Sequence, residues 1–173
     1  EDAIRNERYI QFYIEEGEKR AIQIHLVYVD ELEIGVWNQH WMIKYQKQVV
    51  SQPDFVICRT IYPMLSRQFE CMGIPVFNGT KVAEICNNKA LTYQYVAQLN
   101  IPMVNSMFCK KDSLRMHLMD TTKPTVFKAV DGHGGSQVFL YDQSAKDHRE
   151  QFDRILEALK DCDFVKQPLT GTR

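Results

Sequence analysis

Lys128 and the glycines that follow it are the residues whose types and spacing could do chemistry. Residues 125–141 read Thr-Val-Phe-Lys-Ala-Val-Asp-Gly-His-Gly-Gly-Ser-Gln-Val-Phe-Leu-Tyr. Two runs rich in Val, Phe and Leu flank a turn, Asp131 to Ser136, that holds three glycines. Strand-like runs around such a connection predict a β-hairpin. One or two residues of positive φ close a hairpin, so this loop carries more glycine than the turn needs. Backbone without Cβ atoms can approach a ligand closely and aim its N–H groups into a concavity, a common way of holding phosphate. The period of two places Lys128 on the side of Val126 and Val130, a cation just ahead of the loop. An exposed strand lysine beside a flexible turn would explain the same residues.

Two familiar phosphate motifs are excluded. No Gly-Lys-Ser/Thr follows the loop and no helix opens there, so it is not a Walker A sequence. The dinucleotide fingerprint fails as well, because Gly132-His133-Gly134 lacks a third glycine in register and leads into a strand. A glycine-rich hairpin covering nucleotide phosphates is a separate solution, used by protein kinases.

Arg59 is the second candidate. It follows the apolar run Phe55-Val56-Ile57-Cys58, of the kind buried in a parallel sheet. Ligands of open α/β sheets collect beyond the carboxyl ends of the strands, so Arg59 could meet an anion such as a substrate carboxylate. A structural salt bridge is the other reading. Cys58, Cys71, Cys86, Cys109 and Cys162 form no Cys-x-x-Cys motif, and the five histidines show no ligand spacing. No metal site is signalled, and free thiols in a reducing cytoplasm are expected.

The elements that position these residues come from pattern. A helix is expected over Ala3–Arg20, a strand over Gln23–Val29, and a strand or hairpin over Gly35–Tyr45 with Trp37 and Trp41 as packing residues. Pro63–Met72 reads as a helix ended by Gly73, and Ile74–Phe77 as a strand. This alternation suggests half of a doubly wound α/β domain whose first strand would lie upstream of residue 1. Residues 80–99 predict one or two helices with a break at Asn87-Asn88-Lys89. Beyond them come a strand over Met103–Phe108, a helix capped by Asp112, the hairpin, a helix over Ser144–Lys160 and a strand from Asp163. The helix is the clearest in the chain, with Phe152, Ile155, Leu156 and Leu159 at i, i+3, i+4 and i+7.

With 173 residues, 45% hydrophobic and 25% charged, the chain has the composition of a globular protein of one domain or two small ones. A net charge of −1 argues against a general binder of nucleic acid or anionic membrane, and no apolar run reaches the length of a membrane span. The chain opens on Glu-Asp-Ala without a methionine, and both ends look cut.

A resemblance joins these pieces. Asp54–Arg59, Ser66-Arg-Gln-Phe-Glu-Cys-Met-Gly73, Val76-Phe-Asn78, Asn88-Lys89, Val126-Phe-Lys128 and Asp131-Gly-His-Gly-Gly-Ser-Gln-Val138 resemble, in order and wording, the ATP-grasp superfamily. Within it they are most similar to RimK-type glutamate ligases and related peptide ligases. The similarity covers residues 54–173 well and residues 1–53 only in pattern. It implies an α/β fold: a Rossmann-like pre-ATP-grasp domain over 1–78, then an α+β ATP-grasp small subdomain over 79–173, truncated before the large subdomain.

The resemblance also implies roles. Lys89 and Lys128 would contact ATP phosphates, and Gly132, Gly134, Gly135 and Ser136 would cradle them, with His133 a further donor or only a loop tip. Gln137 stands where the family often has another glycine. Lys166, Gln167 and Leu169 would form the adenine hinge, with the Gln167 carbonyl accepting from adenine and the Leu169 N–H donating to it. The reaction implied is ATP-dependent carboxylate–amine ligation through an acyl phosphate. ATP is implied as cosubstrate and Mg2+ as cofactor, its ligands lying downstream of residue 173, so the chain alone is expected to bind nucleotide weakly without turnover. Small-molecule or peptide carboxylates and amines would be the partners, with homo-oligomerisation left open. A noncatalytic nucleotide-binding module is the alternative, and an ATP-grasp kinase a more distant one.

Overall fold

The computed structural model describes Ile4 and residues 6–171. Two compact units divide the chain: the first runs to Thr60 and resumes over Arg67–Phe77, and the second takes Ile61–Ser66 and the chain from Asn78 onward. Helices and sheets are mixed in an α/β arrangement.

In the first unit, helix α1 (Glu7–Glu18) precedes a three-stranded antiparallel meander, β1 (Leu32–Trp37), β2 (His40–Tyr45) and β3 (Gln48–Val49). The expected start of α1 at Ala3 lies outside the described residues. Both meander links are two-residue turns with positive φ, at Asn38 (46°) and Gln39 (65°) and at Gln46 (49°) and Lys47 (67°). Left-handed pairs of this kind match the right-handed strand twist. Gln23–Val29, expected as a strand, forms none: residues 22–28 join no ladder, and a 3-10 turn follows at Val29–Glu31. Alternation is not enough without a neighbouring strand. Trp37 and Trp41, expected to pack, are 69% and 46% exposed near the tip of the β1–β2 hairpin.

A right-sized connection then pairs β4 (Val56–Ile57) in parallel with β5 (Val76–Phe77) through helix α2 (Pro63–Cys71). Gly73, at φ 78°, ends this helix while Ile74 N–H returns to the Phe69 carbonyl at 2.9 Å. This is the left-handed helix stop that glycine makes without strain.

The second unit holds helices α3 (Thr80–Cys86) and α4 (Lys89–Gln98) and a four-stranded antiparallel sheet in the order β6-β9-β7-β8. Its strands are β6 (Met107–Cys109), β7 (Thr125–Ala129), β8 (Val138–Tyr141) and β9 (Phe164–Pro168). Helices α5 (Leu114–Met119) and α6 (His148–Leu159) supply Leu114, Leu118, Ile155 and Leu159 to a core with Phe127, Ala129, Tyr141 and Phe164. Two helix starts differ from expectation. Asp112 sits in a 3-10 turn, Lys111–Ser113, and caps no helix; α5 begins at Leu114. The last helix opens at His148 because the Asp142 carboxylate accepts from the Ser144 N–H (2.9 Å) and hydroxyl (2.7 Å), a local turn that competes with helix.

Candidate functional site

Strand β7 alternates strictly: Thr125, Phe127 and Ala129 are buried, while Val126 and Lys128 are half-buried. Pleating therefore sends Phe127 into the helix-backed core and Lys128 to the other face. Cross-strand partners share a face. Lys128 consequently stands between Val165, fully buried, and Val138, 41% exposed. Its ammonium forms no ion pair among the described residues. It is a strand cation at the border between covered and open sheet.

The loop after β7 is closed by its own atoms. Ser136 N–H donates to the His133 carbonyl at 3.2 Å, and the Ser136 hydroxyl donates to the same oxygen at 2.8 Å. Between them Gly134 and Gly135 have φ of 59° and 77°, the signs of a type I′ turn. His133, Gly134, Gly135 and Ser136 are all exposed. Gly132 serves a different need: a Cβ there would lie 2.8 Å from Gln137 Oε1 and 3.1 Å from the Ala129 Cβ. Gln137, the departure noted in the sequence, packs across the loop's base against the one glycine whose bareness admits it.

Lys89 reaches this loop from helix α4. The Asn88 side chain caps that helix, accepting from Leu91 N–H at 2.9 Å. The cap holds the helix start against β7, where Lys89 N–H donates to the Val130 carbonyl at 2.8 Å. The Lys89 ammonium donates to the Gly132 carbonyl. Lys89, the end of β7 and the glycine loop thus form one hydrogen-bonded assembly, with Lys128 on the strand that leads into it.

The residues expected to form an adenine hinge divide. Lys166 pairs with Phe127, so it faces the helix side, and its ammonium lies 5.8 Å from the Phe127 ring centroid. Burial pushes the Cys109 thiol up and the Lys166 charge opposes this, which places the cation near that same core edge. The structure does not bring Lys166 to the face of Lys128, because adjacent strand residues point oppositely. The Gln167 side chain is buried and donates to the Ser106 hydroxyl at 2.8 Å. Leu169 N–H donates to the Pro124 carbonyl at 3.0 Å, so the donor expected for adenine is engaged within the sheet.

In the first unit, Arg59 is exposed just past β4 with its guanidinium carbon 5.2 Å from the Tyr9 ring centroid. A cation over an aromatic face is held loosely enough to meet an anion as well. No group of three or more His, Cys, Asp or Glu among the described residues could hold a metal ion. All five cysteines are free. No helix among the described residues is long and apolar enough to cross a membrane.

Solved structures answer to this arrangement. A RimK-domain ATP-grasp protein from Sphaerobacter thermophilus superposes with a TM-score of 0.66 at 15% identity, over 92% of this chain and 59% of that one. The chain shares the fold of that part of the ATP-grasp structure. D-alanine–D-alanine ligase from Helicobacter pylori matches with a TM-score of 0.55 at 14% identity, over 92% of this chain and 50% of the other. The ATP-grasp ligase PsnB, solved with a phosphomimetic variant of its minimal precursor, Mg and ADP, matches with a TM-score of 0.58 at 16% identity, over 94% and 61%. The chain therefore spans about half to three fifths of the length of the ATP-grasp structures it matches. No protein-family model and no curated protein matches the sequence.

Two contacts were not foreseen from the sequence, although both residues stood out in it. Asn88 aims Lys89, and an Asn just before a helical run is itself a capping signal. The seat of Gln137 over Gly132 had no local sign beyond the missing glycine.

Proposed function

We propose that the chain holds ATP for a carboxylate–amine ligase that works through an acyl phosphate. The observation that carries this reading is the assembly of Lys128, the exposed glycine turn and Lys89 on one end of the second unit's sheet, within an ATP-grasp fold. A polyphosphate needs cations and fixed N–H dipoles that do not reorganise as charge moves during transfer, and this end of the sheet supplies both kinds. Residues 79–173 are read as the small ATP-grasp subdomain and residues 1–78 as a Rossmann-like domain before it, with the parallel β4–β5 pair as its recognisable part.

Each residue then has a task. Lys128 meets the phosphates from the strand. Gly134 and Gly135 give the turn a bare tip that can close over them and exclude water. Gln167, through its carbonyl, and Leu169, once its N–H leaves Pro124, would hold adenine. Lys166 is left out of that contact by strand alternation. Arg59, at the carboxyl end of β4, suits the carboxylate substrate. Magnesium, when bound, would offset phosphate charge. The described residues offer no carboxylate cluster for it, so no step is assigned to them through the metal. Small-molecule or peptide carboxylates and amines are the substrates this reading implies. A reducing compartment such as the cytoplasm suits its five free thiols.

Lysine acetylation followed by mass spectrometry tests the site directly. Magnesium–ATP should protect Lys128 and leave the exposed Lys47 and Lys146 unchanged. Equal labelling of Lys128 with and without nucleotide would contradict the reading.

A further inference from the structure

We infer that Lys89 is a latch on the glycine loop: its ammonium holds the Gly132 carbonyl until a nucleotide phosphate takes the ammonium away and frees the loop to close. This deepens the nucleotide reading above and rests on it. Lys89 is tied at both ends, its N–H to the Val130 carbonyl at 2.8 Å and its ammonium to the carbonyl of Gly132. The side chain therefore bridges the start of the loop to the capped end of helix α4. Among the described residues no other hydrogen bond joins residues 131–136 to another element, since the Ser136 bonds stay within the loop. Removing one contact therefore frees the whole tip.

Chemistry makes the contact exchangeable. A neutral carbonyl is a weaker acceptor for an ammonium than a charged phosphate oxygen, so phosphate wins the competition when it arrives. Lys128 has no such internal partner among the described residues and is ready to bind without giving anything up. The two lysines thus differ in role although both are cations near one loop. Lys128 contributes its full attraction, while Lys89 must first surrender Gly132.

Amide hydrogen exchange at Ser136, the one N–H of residues 131–136 with an acceptor among the described residues, reports opening of the loop and, read without nucleotide in wild type, Lys89→Met and Lys128→Met, tests the latch. Loss of a charge-assisted bond should speed loop exchange about tenfold in Lys89→Met. Lys128→Met should match wild type. Because the Lys89 N–H remains in Lys89→Met, exchange in helix α4 should not change. Should that helix fray, Lys89→Arg, which keeps side-chain donors, should restore slow loop exchange. Wild-type loop exchange in Lys89→Met, or fast exchange persisting in Lys89→Arg, overturns the latch. Titration with magnesium–ADP then tests the exchange with phosphate: Lys89→Met should lose less affinity than Lys128→Met, and the reverse order overturns it. Failure of wild type to bind any nucleotide would sink the ATP reading and the phosphate exchange together, while the nucleotide-free measurement still decides whether Lys89 holds the loop.

Discussion

Gly132 and Gln137 are fitted to each other at the base of the loop. A methyl on Gly132 would stand 2.8 Å from Gln137 Oε1, 3.0 Å from its Cβ and 3.1 Å from the Ala129 Cβ. The long amide can swing aside, but the two Cβ atoms belong to the hairpin itself, so the loop must open. Overpacking of this kind costs about 1 kcal/mol or more, enough to weaken magnesium–ATP binding roughly fivefold in Gly132→Ala. Adding Gln137→Gly removes two of the three close contacts and should recover most of the loss, a coupling that a double-mutant cycle measures. Independent effects of the two substitutions would show that Gln137 does not shape the loop. Lys128 and the glycines are candidates by residue type, because phosphate chemistry draws on so few groups. The partners of Lys89 were not legible in the sequence, since they depend on where a helix start meets a strand end.

The strand junctions carry the next level of control. Asp163, just before β9, accepts from the Lys110 ammonium at 2.7 Å and the Lys111 N–H at 3.1 Å, while its carbonyl accepts from Val130 N–H at 2.9 Å. One residue thus ties the end of β6 and the loop side of β7 to β9. The Lys110 hydrogen bond, helped by the Lys111 N–H, lowers the Asp163 carboxyl below its ordinary value of 3.8. A carboxyl depressed by folding stabilises the native state above its unfolded pKa, and that stabilisation is lost as pH falls through the folded value. Asp163→Asn should therefore lower the urea midpoint at pH 7, with the gap to wild type closing as the pH falls below about 3.8. A gap that persists unchanged at low pH would mean that the carboxylate charge contributes nothing.

Element type was largely readable, because burial alternation in β7 and the apolar stripe of α6 are strong periodic signals. Element limits were less so. The strand expected at Gln23–Val29 had the right composition but no neighbour to pair with, and the last helix was shortened by the Asp142 turn. Both failures are tertiary or side-chain effects that a window of residues does not contain. The same holds for Lys166: the family resemblance assigned it to an adenine hinge, and only the register of β7 against β9 shows it on the helix side.

At the scale of the molecule, the chain matches about half to three fifths of the length of ATP-grasp structures at identities of 14–16%, so the likeness carries the fold, and the site must be argued from its own residues. The face of Lys128 gives that argument a physical basis. Val138 and Leu140, 41% and 42% exposed, extend an apolar shelf beside the cation, and the exposed turn stands at its end. An apolar surface bordered by a cation and a bare backbone turn suits a ligand with one flat and one anionic end. Calorimetric titration of magnesium–ATP into wild type and Lys128→Met is the most direct test. The account predicts saturable binding by wild type, weakened about tenfold or more in the variant, the scale of one charge-assisted contact. Equal affinity of the two proteins would contradict it.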